Sequence, residues 1–218
     1  MAQESQRRQA TVLFADISGF TAMSEKLDPE ELTHAINRCF ATLADVVSAH
    51  GGHVDKYIGD CVMALFGVPQ ALEKAPTHAI NAAIEMRNRL AALSAEAGLP
   101  DALELHIGIN TGLVIAGHVG GNVKQEFTVM GDTVNLASRL KDAAPTGRIW
   151  VGSDTYRYTR DEFDYRRLEP LTVKGKAKAV DAWELRSARE RLHKPKPKTA
   201  EHAAELVGRD IELGLVRA

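Results

Sequence analysis

The chain has 218 residues, with 27 Lys and Arg against 29 Asp and Glu and a formal charge of -2. Apolar residues make up 44% and charged ones 26%, enough for a sizeable core in one large domain with appendages. That excludes a wholly disordered or collagen-like chain, and the near-neutral balance leaves no electrostatic footprint for nucleic acid. Two cysteines, Cys39 and Cys61, cannot build a disulfide framework and read as small core hydrophobes of a reducing compartment. No run approaches the ~18 apolar residues of a membrane span. The apolar stretch after Arg7 and Arg8 is too short for a signal peptide, so a soluble, cytoplasmic protein is expected.

Residues 10–15 are apolar and rich in strand formers, and predict a buried strand. Turn chemistry follows at residues 17–21. A helix is predicted over 29–49, with Asp28 as cap, Pro29 at the first helical position and one apolar stripe of Leu32, Ile36, Phe40, Leu43 and Val47. Gly51 and Gly52 end it. Residues 53–58 and 61–66 read as strands around a turn at Gly59 and Asp60. A second helix is expected over 75–97, closed by Gly98 and Pro100, and then a long strand or bent strand pair over 103–116, with Gly108 and Gly112 as bends. The order strand, helix, strand, strand, helix, strand is the split βαβ pattern of an α+β, ferredoxin-like βαββαβ palm. Additional C-terminal elements follow: a strand over 126–130, a helix over 133–143, a strand over 148–151 and a closing hairpin of 163–173 with 179–186.

In such a sheet the first strand lies between the last and the third. Asp16 and Asp60, 44 positions apart, therefore meet at one end of it. Two carboxylates with no nearby basic partner repel, and their pKa values rise. A bound divalent cation removes the repulsion, and Mg²⁺ also recruits substrate phosphates. Taken singly, Asp16 is an acidic turn cap and Asp60 a hairpin turn residue. Taken together, with a turn whose N–H groups can cradle phosphate, they point to metal binding.

Four ordered motifs then resemble the class III nucleotidyl cyclases. They are residues 12–21 with Asp16, residues 56–60 with Asp60, residues 131–139 with Asn135 and Arg139, and residues 173–176 with Lys174. The resemblance implies conversion of ATP to 3′,5′-cyclic AMP and pyrophosphate. It implies two divalent cations, Mg²⁺ or Mn²⁺, on Asp16, Asp60 and the Ile17 carbonyl, and phosphate contacts from Ser18, Gly19, Phe20 and Thr21. Asn135 would orient the ribose, Arg139 would stabilise charge on the α-phosphate, and Lys174 would grip the β- and γ-phosphates. Apart from the motif, Asn135 and Arg139 read as a solvated helix face opposite a buried stripe of Val134, Ala137 and Leu140, and Lys174 as a hairpin lysine. The family's sites are shared between chains, and one copy here carries both halves. A head-to-tail homodimer with two equivalent sites is therefore expected.

Adenine offers N1 as acceptor and its 6-amino group as donor, whereas guanine offers the reverse. Lys56 carries donors only and fits adenine. The second base-reading position falls on Thr128, whose hydroxyl can accept from adenine or donate to guanine, so Lys56 decides. Threonine there resembles a subgroup, IIIb, in which several members respond to bicarbonate. The alternatives are a guanylate cyclase, which Lys56 opposes, and an inactive nucleotide-binding module, which the retained motif residues oppose. Diguanylate cyclases share the palm, but the Gly-Gly-acidic-acidic-Phe signature is absent from the corresponding hairpin. His50 and His53 have ligand-like spacing beside a glycine turn and read as exposed loop histidines.

The catalytic domain is assigned to residues 1–189 and a basic, proline-containing linker to 190–200. Residues 201–218 form a tail, in which Leu206-Val207-Gly208-Arg209-Asp210 resembles the opening of an AAA-type ATPase module.

Overall fold

The structure, a computed structural model, describes residues 5–19, 28–96, 103–120, 125–172 and 179–189. Among them are eight strands: β1 (Gln6–Ser18), β2 (His53–Ile58), β3 (Cys61–Phe66), β4 (Glu104–Gly120), β5 (Gln125–Met130), β6 (Ile149–Gly152), β7 (Phe163–Arg167) and β8 (Ala182–Ala188). The described helices are α1 (Pro29–Ala49), α2 (Ala75–Glu96), α3 (Asp132–Ala143) and α4 (Ser153–Thr159). The α+β class and the βαββαβ palm are as expected. No described helix is long and apolar enough to cross a membrane.

The strands form one sheet in the order β2-β3-β1-β4-β6-β8-β7, with β5 paired to the far end of β4. β1 lies between antiparallel β3 and β4, as the split βαβ pattern requires. Alternation along β1 feeds two cores. Leu13, Ala15 and Ile17 pack with residues of α1 and α2, while Ala10, Val12 and Phe14 share a cluster with Ala137 of α3. Burial on both faces explains why β1 reads as a continuous apolar run.

α1 keeps its predicted bounds, but its cap works differently. Asp28 has the extended cap backbone and makes no side-chain capping bond. Glu30 and Glu31 in the first turn supply the negative charge that suits the helix N-terminus. Cys39, Leu43, Val46 and Val47 are its buried face, with Leu32, Ile36 and Phe40 at the margin.

β4 is one strand, continuous through Gly108 and Gly112, so neither glycine is a bend. Gly108 instead admits α3. A Cβ there would lie 2.2 Å from the Ala137 carbonyl oxygen and 2.3 Å from the Lys141 nitrogen. α3 therefore rests its backbone on the strand. Its buried residues are Thr133, Ala137 and Leu140, so Thr133 takes the place expected for Val134.

The closing hairpin is shorter than expected. β7 and β8 pair over a few residues, and an isolated bridge joins Leu171 to Val180. α4 has no counterpart among the predicted elements. Its buried positions are Thr155 and Thr159, so no apolar stripe announces it. Hydroxyl bonds hold it instead: Thr111 to Thr155 at 2.9 Å and Thr159 to Tyr165 at 2.6 Å.

Candidate active site

Register places Asp16 opposite Cys61 on one side and His106 on the other. The Ile17 N–H donates to the Asp60 carbonyl at 3.3 Å, which ties the β2–β3 turn to the end of β1. The two acids thus share one sheet end, as the topology predicts. Burial raises the Asp60 carboxyl above its ordinary value, and the charge of Asp16 adds to the rise. Cys61 beside them is pushed up to about 12, by burial first and then by Asp16, and is an inert core thiol.

The expectation of carboxylates without a basic partner is wrong. Lys141 donates from Nζ to Asp16 Oδ2 at 3.2 Å and stands 2.6 Å from Asp142 Oδ1. Burial works against its charge, but the bonds to Asp142 and Asp16 outweigh it and hold Lys141 above the ordinary lysine value. His106 braces the same contact. Its Nδ1 donates to the Lys141 carbonyl at 3.0 Å, and Nε2 lies 3.2 Å from Asp16 Oδ2. These partners come from β4 and from α3 seated on Gly108, an arrangement with no signature in local sequence.

Asp16 Oδ1 is buried and has no hydrogen-bond partner. A buried, unsatisfied carboxylate oxygen is costly, and beside a second acid it fits a hard cation. Among the described residues no three His, Cys, Asp or Glu side chains converge on one point. The pair of carboxylates fits an ion of the Mg²⁺ type, which takes one or two carboxylates plus substrate phosphates. The Ile17 backbone adjoins both acids.

Of the phosphate-turn residues, Ser18 ends β1 with its hydroxyl 3.3 Å from that of Thr146. Gly19 has φ +92°, a turn geometry that favours glycine. Phe20, Thr21 and Lys174 lie outside the described residues.

A second group forms around Lys56 and Thr128. Both meet a residue that the motifs do not single out, Asp55. Thr128 Oγ1 donates to Asp55 Oδ2 at 2.8 Å, and Lys56 Nζ is 3.3 Å from the same oxygen. The β2–β3 register shifts between Val54 and Lys56, a bulge centred on Asp55. A bulge breaks the alternation that would send consecutive side chains to opposite faces.

Asn135 and Arg139 project from α3, the first exposed and the second half-buried. Among the described residues neither side chain makes a hydrogen bond or ion pair, so this chain alone does not bind them to either group. His50 is not a free loop histidine. Its Nε2 lies 2.7 Å from Glu85 Oε2, and that contact holds the Glu85 carboxyl below its usual range.

Residues 2–186 match the model of the adenylate and guanylate cyclase catalytic domain. The chain belongs to this family. Adenylate cyclase 1 of Rhizobium meliloti is 33% identical over 186 residues, covering 82% of this chain and 28% of that protein. The cyclase domain here therefore spans well under half the length of that relative. Among solved structures, the adenylyl cyclase CyaB from P. aeruginosa superposes with a TM-score of 0.83 at 34% identity, covering 86% of this chain and 98% of the other. The guanylyl cyclase Cya2 gives 0.81 at 32% identity, covering 88% and 98%. Relatives of both base specificities thus share this cyclase fold at similar distance, and the base must be argued from the site itself.

Proposed function

We propose that this cyclase domain is an adenylate cyclase, converting ATP to 3′,5′-cyclic AMP and pyrophosphate. The observation that carries the reading is the convergence of Asp16 and Asp60 at one sheet end, with a buried carboxylate oxygen left unpaired. Two divalent cations, Mg²⁺ or Mn²⁺, held by Asp16, Asp60 and the Ile17 carbonyl, would supply Lewis-acid activation of the ribose 3′-hydroxyl and neutralise phosphate charge. The 3′-oxygen bonds to the α-phosphorus with loss of its proton, and the bond to the pyrophosphate oxygen breaks.

Lys56 donates to adenine N1, and Thr128 meets the 6-amino group. Backbone N–H groups of Ser18, Gly19, Phe20 and Thr21 would bind the phosphates. Arg139 carries a permanent charge on a planar fork suited to the α-phosphate, Asn135 orients the ribose, and Lys174 holds the terminal phosphates.

The sites are composite, formed in a head-to-tail homodimer. Asn135 and Arg139 serve the acids of the partner, consistent with their unbonded side chains. Exposed Leu113, Ile115 and Met130 on β4 and β5, at 67%, 43% and 45%, give apolar surface for that contact.

Purified protein assayed with ATP and GTP, each with Mg²⁺ or Mn²⁺, tests the proposal. Cyclic AMP should form, with ATP preferred at least about tenfold, and Lys56→Glu should erode that preference. Equal use of both nucleotides overturns the assignment of Lys56. The subgroup likeness of Thr128 adds a bicarbonate response: activity should rise with bicarbonate at fixed pH and ionic strength, while chloride has no effect. A flat titration removes that response.

A further inference from the structure

We infer that Asp55 is a specificity-determining residue, which commits the Thr128 hydroxyl to accepting from the base and so selects adenine. The inference rests on the base-reading roles proposed for Lys56 and Thr128.

A threonine hydroxyl has one hydrogen and two lone pairs. Left free, it turns its hydrogen toward a guanine carbonyl or its lone pairs toward an adenine amino group. In this structure the hydrogen is already engaged, since Thr128 donates to Asp55 Oδ2 at 2.8 Å. A carboxylate can only accept, so the bond has one direction. Only lone pairs then remain for the base. They match the adenine 6-amino donor and oppose the guanine 6-carbonyl oxygen.

The cost of keeping this acid is visible. The Asp55 side chain has no exposed surface, and its Oδ1 is buried without a partner. An apolar residue at a buried strand position would avoid that penalty. Oδ2 answers for it by holding Thr128 and Lys56 on one oxygen. The bulge at Asp55 makes this possible, because Asp55 and Lys56 are adjacent in sequence and regular pleating would separate them. The two base readers are thus set as a pair, an ammonium that donates and a hydroxyl that accepts.

The test is a double-mutant cycle on Asp55 and Thr128. The readouts are the ratio of kcat/KM for ATP over GTP, and the ratio of Kd for the non-cyclising 3′-deoxy guanine nucleotide over that for its adenine counterpart, so that both ratios rise with preference for adenine. Asp55→Leu removes the acceptor while keeping the branched shape with bulkier methyl ends, and Asp55→Ala makes the same chemical change without bulk should leucine prevent folding. Either should lower both ratios about tenfold, the scale of one hydrogen bond gained or lost in a buried site. Thr128→Val should lower them similarly, and the double variant should fall by less than the product of the two single losses, any fall beyond Thr128→Val alone being the hold on Lys56. A folded Asp55 variant that keeps both ratios, while Thr128→Val lowers them, overturns the role of Asp55. Unchanged ratios in Thr128→Val overturn the base-reading role of Thr128 and the inference with it. Additive losses in the double variant show that Asp55 acts independently of the hydroxyl, which also overturns it.

Discussion

Lys141 places its ammonium 3.2 Å from Asp16 Oδ2, so a tethered cation already neutralises the carboxylate proposed to hold metal. The lysine side chain is only 13% exposed, and His106 pins its backbone carbonyl. A metal at Asp16 must compete with that charge. Lys141→Met should therefore tighten Mn²⁺ binding in the absence of nucleotide about fivefold to tenfold, read from loss of the free-ion electron paramagnetic resonance signal. Lys141→Arg, which keeps the charge, should stay near the parent. Weaker binding in Lys141→Met would show that the lysine orients Asp16 and does not compete.

Asp60 makes a linked prediction about stability. Its folded carboxyl binds a proton more tightly than the ordinary value of 3.8, first through burial and then through Asp16. The folded state holds the proton over a range where the unfolded chain has released it. The stabilisation from protonation is complete below 3.8 and is lost as pH rises through the raised value. At neutral pH the ionised group is a net cost in the metal-free protein. Asp60→Asn should accordingly raise the melting temperature at pH 7 without metal, and the gain should fade on acidification below pH ~4. An equal gain at every pH would assign the effect to packing.

Gly108 tests how the site is assembled. Any Cβ there meets backbone of α3, 2.2 Å from the Ala137 carbonyl oxygen, and backbone cannot turn aside as a flexible side chain can. Gly108→Ala should destabilise the fold by about 1–3 kcal/mol in urea unfolding. Because α3 also carries Asn135, Arg139 and Lys141, the same change should depress activity more than stability alone accounts for. Gly59, where nothing lies within 4 Å of an added Cβ, is open in comparison, although its φ of +63° keeps glycine favoured there.

The parts of this architecture that could be read in advance are those written in local spacing. Pro29 and the apolar stripe after it mark α1, and the apolar run of β1 followed by Asp16 marks a strand buried on both faces. The meeting of Asp16 with Asp60 followed from topology alone. Lys141 and Asp55 were not legible, for two different reasons. Lys141 reaches Asp16 because a glycine on β4 lets α3 approach, which is a tertiary fact. Asp55 joins Lys56 because of a bulge, which breaks the period-two rule that separates neighbouring side chains. α4 escaped because hydroxyl groups fill the positions where an apolar stripe would signal a helix.

The composite site predicts complementation. Asp16→Ala removes a proposed metal ligand, and Arg139→Ala removes the proposed transition-state charge on the other half. Each homodimer should lose at least about a hundredfold in kcat, the usual scale for one electrostatic stabiliser. Mixing the two should restore up to a quarter of parental activity, because half of the dimers in a statistical mixture are mixed, and each has one intact site. A mixture shown by native mass spectrometry to exchange subunits, yet inactive, would mean that one chain supplies both halves.

The final prediction concerns where the cyclase domain ends. Arg189 closes the last hairpin, its N–H donating to the Glu162 carbonyl at 2.9 Å and its Nε to Asp164 Oδ1 at 2.6 Å. The family match stops at residue 186, and no proposed site residue lies beyond Lys174. Residues 190–218 are proposed to lie outside the catalytic unit, as a basic linker and tail. Deleting them should leave the melting temperature within about 2 °C, a margin below the shift that 1 kcal/mol gives at this size, and ATP turnover within about twofold. Deleting Arg189 as well should cost more than deleting the tail, because it cuts both bonds to the segment around Glu162 and Asp164. If the shorter chain unfolds or loses turnover while Arg189 is retained, the tail belongs to the catalytic unit and the boundary at 189 is wrong.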